Sequence, residues 1–217
     1  MCDNIYKTNS PLKRYGIPQG NRNMTLLCLA LNGEAFFTEK NMEKIIMDAQ
    51  MMSRALARLS HEIIEKNPSG EELYLVGIRR RGVPLAKILK ANIEKFSDIM
   101  VHLGELDITL YRDDVSEKYN QPHLNSSVID FDVNGKKIIL VDDVIYTGRT
   151  TRAAMDALIN LGRPAVIQLA VMVDRGHREL PVCANFVGKN LPTSRDEFVK
   201  VCVEETDSRT EVVIIRD

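Results

Sequence analysis

The chain has 217 residues and a net charge of -1. It is long enough for one ordinary domain with a full core, and too balanced in charge to be a generally basic nucleic-acid binder. No apolar run approaches the roughly 20 residues that span a bilayer. Cys2, Cys28, Cys183 and Cys202 show neither CxxC nor Cys/His metal spacing, so reduced thiols in a cytoplasmic protein are expected.

The first forty residues carry polar, Pro- and Gly-containing text without a sustained period, the mark of a mobile arm. Met24 to Leu31 follows Lys13, Arg14 and Arg22 and imitates a short signal sequence, but Asn32, Gly33 and Glu34 end it early. The expected division is an extension over 1–41 and a single domain over 42–217, with Met42 as a candidate start of translation. Asp48 is the expected N-cap of a first helix, in which Met52, Leu56, Leu59 and Ile63 recur at helical spacing until Asn67-Pro68-Ser69-Gly70 stops it. Leu73 to Ile78 then reads as a strand, Pro84 to Lys95 as a helix and Ile99 to Leu103 as a strand. Val128 to Phe131 and Lys137 to Val141 flank Asn134-Gly135, a hairpin signal. A helix follows from near Arg149, with Gly162 as its C′ residue. Ala165 to Val173, Ala184 to Val187, Phe198 to Val203 and Glu211 to Ile215 read as strands. This alternation implies an α/β fold, a mainly parallel twisted sheet with helices on both faces.

The chemistry concentrates in IILVDDVIYTGRTTRAAMDAL, from Ile138 to Leu158. Ile138 to Val141 suits a parallel strand buried on both faces, and Asp142 and Asp143 then stand at its carboxyl end, where open α/β sheets bind ligands. Adjacent carboxylates there suit a vicinal diol or metal-bound water, not a phosphate. Thr147, Gly148, Arg149, Thr150 and Thr151 suit the phosphate, with hydroxyls, approachable N–H groups and a helix N-terminus. A strand, a turn and a capped helix without any ligand is the bland alternative. Arg79, Arg80 and Arg81 follow the Leu73 strand and offer planar donor forks, and Gly82 lets the backbone come close. In isolation such a cluster is also a common solvated surface feature. ELDITLYRDD, from Glu105 to Asp114, precedes a polar stretch running to Ser127, a long connection with the character of a mobile lid; an exposed hairpin with ordinary salt bridges is the bland alternative.

The segment KKIILVDDVIYTG, Lys136 to Gly148, resembles the phosphoribosyl pyrophosphate (PRPP) motif of type I phosphoribosyltransferases. From about Met42 onward, RALARLSHEIIEKN, LVGIRRRGVPLAKIL, GELDITLYRDD, DRGHRELP and GKNLPTS resemble the family of bifunctional pyrimidine-operon regulators and uracil phosphoribosyltransferases. The resemblance implies the type I phosphoribosyltransferase fold with a small hood. It makes Arg79 to Gly82 the pyrophosphate loop, places Arg112 on the flexible loop over PRPP, and puts Val173, Asp174, Arg175 and Gly176 beside uracil. It implies Mg2+ held through water by Asp142 and Asp143, with Asp142, Asp143, Arg81 and Arg112 serving the reaction. Tyr146, a PRPP contact, stands where purine-salvage relatives commonly carry an acid. Its ordinary pKa of about 10 makes it a poor base at neutral pH and points to a pyrimidine.

The same resemblance implies UMP-dependent binding of a leader RNA, with Arg58, His61 and Lys66 on the first helix and His177, Arg178, Lys189 and Thr193 after the uracil loop. Cys183 and Ala57 depart from the basic residue and the hydroxyl that regulatory members carry there, which predicts fewer phosphate contacts. A dedicated pyrimidine salvage enzyme without RNA binding, and a non-catalytic regulator on the PRPP fold, remain open alternatives. A homodimer or larger homo-oligomer is also implied.

Overall fold

The computed structural model describes residues 42–67, 72–111 and 127–216, and the short segments 30–31 and 34–35. By its internal contacts the chain divides into Met1–Lys40 and Asn41–Asp217. The first unit contains an antiparallel pair, β1 (Ala30–Leu31) and β2 (Glu34–Ala35). Everything below concerns the second.

In that unit β3 (Met42–Met47) leads into α1 (Ala49–Lys66), and Asp48 caps the helix by accepting from the Met51 N–H at 2.8 Å. Met52, Leu56, Leu59 and Ile63 form its buried stripe, as their spacing requires. The chain continues through β4 (Leu73–Ile78), α2 (Gly82–Phe96), β5 (Val101–Leu106), a single 3-10 turn (Thr109–Tyr111) and β6 (Lys137–Ile145). It ends with α3 (Arg149–Leu161), β7 (Val166–Asp174), β8 (Phe186–Asn190), β9 (Glu197–Cys202), α4 (Glu204–Asp207) and β10 (Glu211–Arg216).

Five strands form a parallel sheet in the order β5-β4-β6-β7-β8. Alternate residues of its strands feed two separate cores. Leu73, Leu75, Ile139, Val141, Ala170 and Met172 pack with α1 and α2 on one face, whereas Tyr74, Val76, Ile138, Leu140, Leu169 and Val171 pack with α3 on the other. The remaining strands form an antiparallel sheet, β3-β10-β9, whose Met47, Val201 and Val212 join the α1/α2 core.

Three local expectations are corrected. Asn134-Gly135 is a turn, but no hairpin forms around it. β6 lies parallel between β4 and β7, and Val128 instead bridges Glu105 of β5. The turn is anchored to the α3–β7 connection, where Gly135 N–H donates to the Arg163 carbonyl and Arg163 N–H to Asn134 Oδ1, both at 2.8 Å. Gly162 ends α3 in extended backbone, not in a left-handed cap. Its need for glycine is steric, because a Cβ there would meet Val133 Cγ2 at 2.6 Å. Finally, the second unit opens not on the helix capped by Asp48 but on β3. Its charged, half-exposed text hides a strand that β10 completes by antiparallel pairing.

Candidate active site

The central strands β4 and β6 end side by side, and their carboxyl ends create the cleft. Asp142 is 7% exposed and accepts the Asp143 N–H at 2.9 Å, while Asp143 accepts the Val144 N–H at 2.8 Å. Burial pushes the Asp143 carboxyl above the ordinary carboxylate range, opposed by the Val144 N–H and by the Arg81 guanidinium. Arg81 Nη1 lies 3.9 Å from Asp143 Oδ2.

Two glycines bring the arginine loop against these acids. A Cβ at Gly77 would stand 2.6 Å from Val83 Cα, and one at Gly82 would stand 2.2 Å from the Val141 carbonyl oxygen. Gly82 therefore serves close packing of the loop on β6, whatever its distance from a ligand. Arg79 donates to Glu105 at 3.2 Å and lies 3.9 Å from Asp107, and Arg80 is exposed. The resulting cleft, about 370 Å³, is lined by Arg79, Arg80, Arg81, Asp142, Asp143 and Thr150, with Asp107, Ile108 and Thr109 on the β5 side. Arg112 lies outside the described residues, as does most of the expected lid.

Gly148 caps α3 in the left-handed region, φ 94°, with Thr147 just before it and Thr150 and Thr151 in the first turn. Thr147 Oγ1 accepts the Arg149 N–H at 3.4 Å, and its carbonyl accepts N–H groups from Glu179 at 3.0 Å and Leu180 at 3.1 Å. Arg149 pairs with Glu179, at 2.9 Å. The loop after β6 is thus tied to the loop after β7.

β7 leads into that second loop through buried Val173 and then Asp174. Asp174 accepts the Gly176 N–H at 2.9 Å and pairs with Arg178, and Arg178 also donates to the carbonyls of Tyr146 at 2.7 Å and Val182 at 3.1 Å. Arg175 is 5% exposed, lies 4.1 Å from the Tyr146 ring centre, and donates to Thr193 Oγ1 at 3.1 Å and the Ser194 carbonyl at 3.0 Å.

Residues 43–206 match the phosphoribosyl transferase domain family. The bifunctional protein PyrR of Caldicellulosiruptor bescii is 60% identical over 79% of this chain and 94% of its own length. That of Clostridium novyi is 57% identical over 79% and 97%. The chain belongs to the PyrR family of phosphoribosyltransferases. Among solved structures, the hypoxanthine phosphoribosyltransferase of Trypanosoma cruzi superposes with a TM-score of 0.60 at 17% identity, over 80% of this chain and 96% of that one. The hypoxanthine-guanine phosphoribosyltransferase of Bacillus anthracis gives 0.57 at 17%, over 82% and 99%. At such identity these two establish the fold alone.

The basic residues that suggested an RNA face in this PyrR-family chain are distributed among several contacts. Arg58 donates to the carbonyls of Val187 at 3.0 Å and Gly188 at 2.7 Å, and Lys66 to that of Asn185 at 3.4 Å, so both bind the main chain at and just before β8. His61 instead stacks on Phe96 of α2 with ring centres 4.5 Å apart. Arg178 is held inside its loop, and His177 Nε2 contacts the Thr193 carbonyl at 2.5 Å. Lys189 lies on β8, paired with Val173.

Sequence reasoning did not single out Asp107, Thr109 or Asp207. The first two sit within the GELDITLYRDD segment and needed only closer attention to its start. Asp207 meets Arg81 across 126 residues of sequence, and no local pattern announces that pair.

Proposed function

We propose that this chain transfers the phosphoribosyl group of PRPP to uracil, giving UMP and pyrophosphate, and that its UMP-bound form binds the leader RNA of a pyrimidine operon. The observation that carries the enzymatic reading is the cleft in which Arg79, Arg80 and Arg81 line the space beside Asp142 and Asp143. Cations and carboxylates side by side suit a ligand with both a diphosphate and a diol.

In this mechanism Asp142 and Asp143 hold the ribose hydroxyls, and the arginine loop stabilises the charge that grows on the departing pyrophosphate. The 5′-phosphate lies at the start of α3, on Thr147, Gly148, Thr150 and Thr151, where first-turn N–H groups and the helix dipole favour an anion. Tyr146 braces the base side through Arg175, and Val173 to Gly176 present main-chain groups to the imide edge of uracil. Arg112 is assigned to the pyrophosphate from the loop that closes over it.

Among the described residues no group of three or more His, Cys, Asp or Glu forms a metal cage. Two neighbouring carboxylates beside a diphosphate site nevertheless fit Mg2+, which keeps several waters and relies on substrate oxygens. Asp142 and Asp143 would hold it through water, and when bound it would neutralise charge on the diphosphate. We place the protein in the cytoplasm, as a homodimer or larger homo-oligomer.

Incubating the protein with Mg2+, PRPP and each of uracil, orotate, hypoxanthine and guanine tests the reaction. Product from uracil alone is expected, and product from a purine but not uracil overturns the assignment. For the RNA, we assign contacts to Arg58, His61, Lys66, His177, Arg178, Lys189 and Thr193. The expected result is a leader-RNA mobility shift that strengthens with UMP; equal weak binding to unrelated hairpins would leave only general electrostatic attraction.

A further inference from the structure

The three arginines of the β4–α2 loop are not held alike. Arg79 contacts β5 and Arg80 is exposed, but the guanidinium of Arg81 is gripped by a carboxylate from the antiparallel sheet. Arg81 Nε and Nη2 each donate to Asp207 at 2.9 Å. Asp207 ends α4, between β9 and β10, and its side chain is only 10% exposed. It is itself fixed by the Val203 N–H at 3.3 Å and by Lys200 at 3.4 Å. A second tie holds α4 in place, from Lys87 on α2 to Glu205 at 2.7 Å.

This arrangement occupies one edge of the guanidinium and leaves the other. Nη1, the nitrogen that makes no short contact with Asp207, is the one 3.9 Å from Asp143 Oδ2 at the cleft. A bidentate pair fixes the plane of the fork as well as its position. An arginine on a loop otherwise has many rotamers, and ordering it during binding would weaken affinity for the anion it meets.

We propose that Asp207 is a positioning residue for the pyrophosphate end of the substrate: by holding Nε and Nη2 of Arg81 from behind, it presents Nη1 to the diphosphate opposite Asp142 and Asp143. The idea rests on the phosphoribosyltransferase reading above and adds a residue from outside the loop and the PRPP motif. Asp207 touches no reacting atom; it acts through Arg81. It also links the antiparallel sheet to the chemistry, since a shift of α4 would move the donor.

The test is a double-mutant cycle of Asp207→Asn with Arg81→Lys, because lysine cannot make the two-point contact. Each variant is assayed for steady-state turnover with uracil and PRPP, and for calorimetric binding of Mg2+-pyrophosphate. With Arg81 present, Asp207→Asn should raise KM for PRPP and Kd for pyrophosphate about tenfold while leaving KM for uracil within about twofold. In the Arg81→Lys background it should change neither by more than about twofold. Equal effects in both backgrounds, or a folded Asp207→Asn protein with unaltered PRPP and pyrophosphate constants, would overturn the proposal. Should Asp207→Asn fail to fold, Asp207→Ser keeps an oxygen for the Val203 N–H and is judged by the same outcomes. Wild-type protein that forms no UMP refutes the proposed reaction, and the pyrophosphate titrations still decide the role of Asp207.

Discussion

The loops after β4 and β7 are both rich in arginine, yet they use it in opposite ways. In the first, Arg79 and Arg81 are held by carboxylates and border the cleft, with Arg81 Nη1 near Asp143. In the second, Arg178 donates to the carbonyls of Tyr146, Val182 and Gly176 and pairs with Asp174, and Arg175 is bound to Thr193 and Ser194. The carboxylate that holds Arg81 leaves Nη1 beside the cleft, whereas main-chain carbonyls, together with Asp174, tie Arg178 into its loop. The same residue type thus borders the cleft in one loop and ties the chain together in the other, a difference set by the partners that each loop supplies.

This contrast is open to direct attack. The largest effect is expected at the cleft: Asp143→Asn should lower kcat/KM by at least about 100-fold. It should also raise stability at neutral pH. A carboxyl whose folded pKa is raised contributes its stability at low pH and loses it as pH rises from the ordinary value through the folded one, so removing the charge removes a penalty. Denaturant melts across pH check this, and an active variant would remove Asp143 from the mechanism. Arg178→Met should act the other way round, costing about 2–3 kcal/mol by leaving the Tyr146 and Val182 carbonyls without their donor. If urea melts show no such loss and RNA binding alone suffers, Arg178 is a contact and not a brace.

Gly82→Ala should destabilise by about 2 kcal/mol and impair turnover together, since its Cβ would displace the arginine loop from β6. A smaller effect is expected at acid pH. Hydrogen bonds from Arg81 and Val203 hold the Asp207 carboxyl well below its usual range, so its stability is present above about pH 4 and is lost as pH falls toward the folded value. The stability difference between wild type and Asp207→Asn should therefore shrink below about pH 4. Least of all, Arg58→Ala should change stability by no more than about 0.5 kcal/mol. Its informative readout is the salt dependence of RNA binding, which becomes less steep only if Arg58 meets a phosphate.

The parallel sheet was legible because β4 is apolar throughout, β6 carries the aliphatic run Ile138 to Val141, and α1 keeps a clean stripe from Met52 to Ile63. Asp142, Asp143 and the start of α3 were legible because one segment contains strand, acids, glycine and helix in order. β3 escaped because a strand that exposes Ile45 at 60% and mixes in Glu43 and Lys44 has no reliable period until β10 lies beside it. Asn134-Gly135 misled because turn chemistry specifies a bend, not the partner of the strand that follows. Asp207 was invisible for the same reason in stronger form: its role belongs to a pair, and its partner is fixed by a different sheet.

The parallel sheet also has guarded borders. On β8 the carbonyls of Val187 and Gly188 accept from Arg58, and that of Asn185, just before the strand, accepts from Lys66, while on β5 Val128 forms an antiparallel bridge with Glu105. A sixth strand arriving at β8 would have to displace two cations, and one arriving at β5 would meet a chain already bonded there.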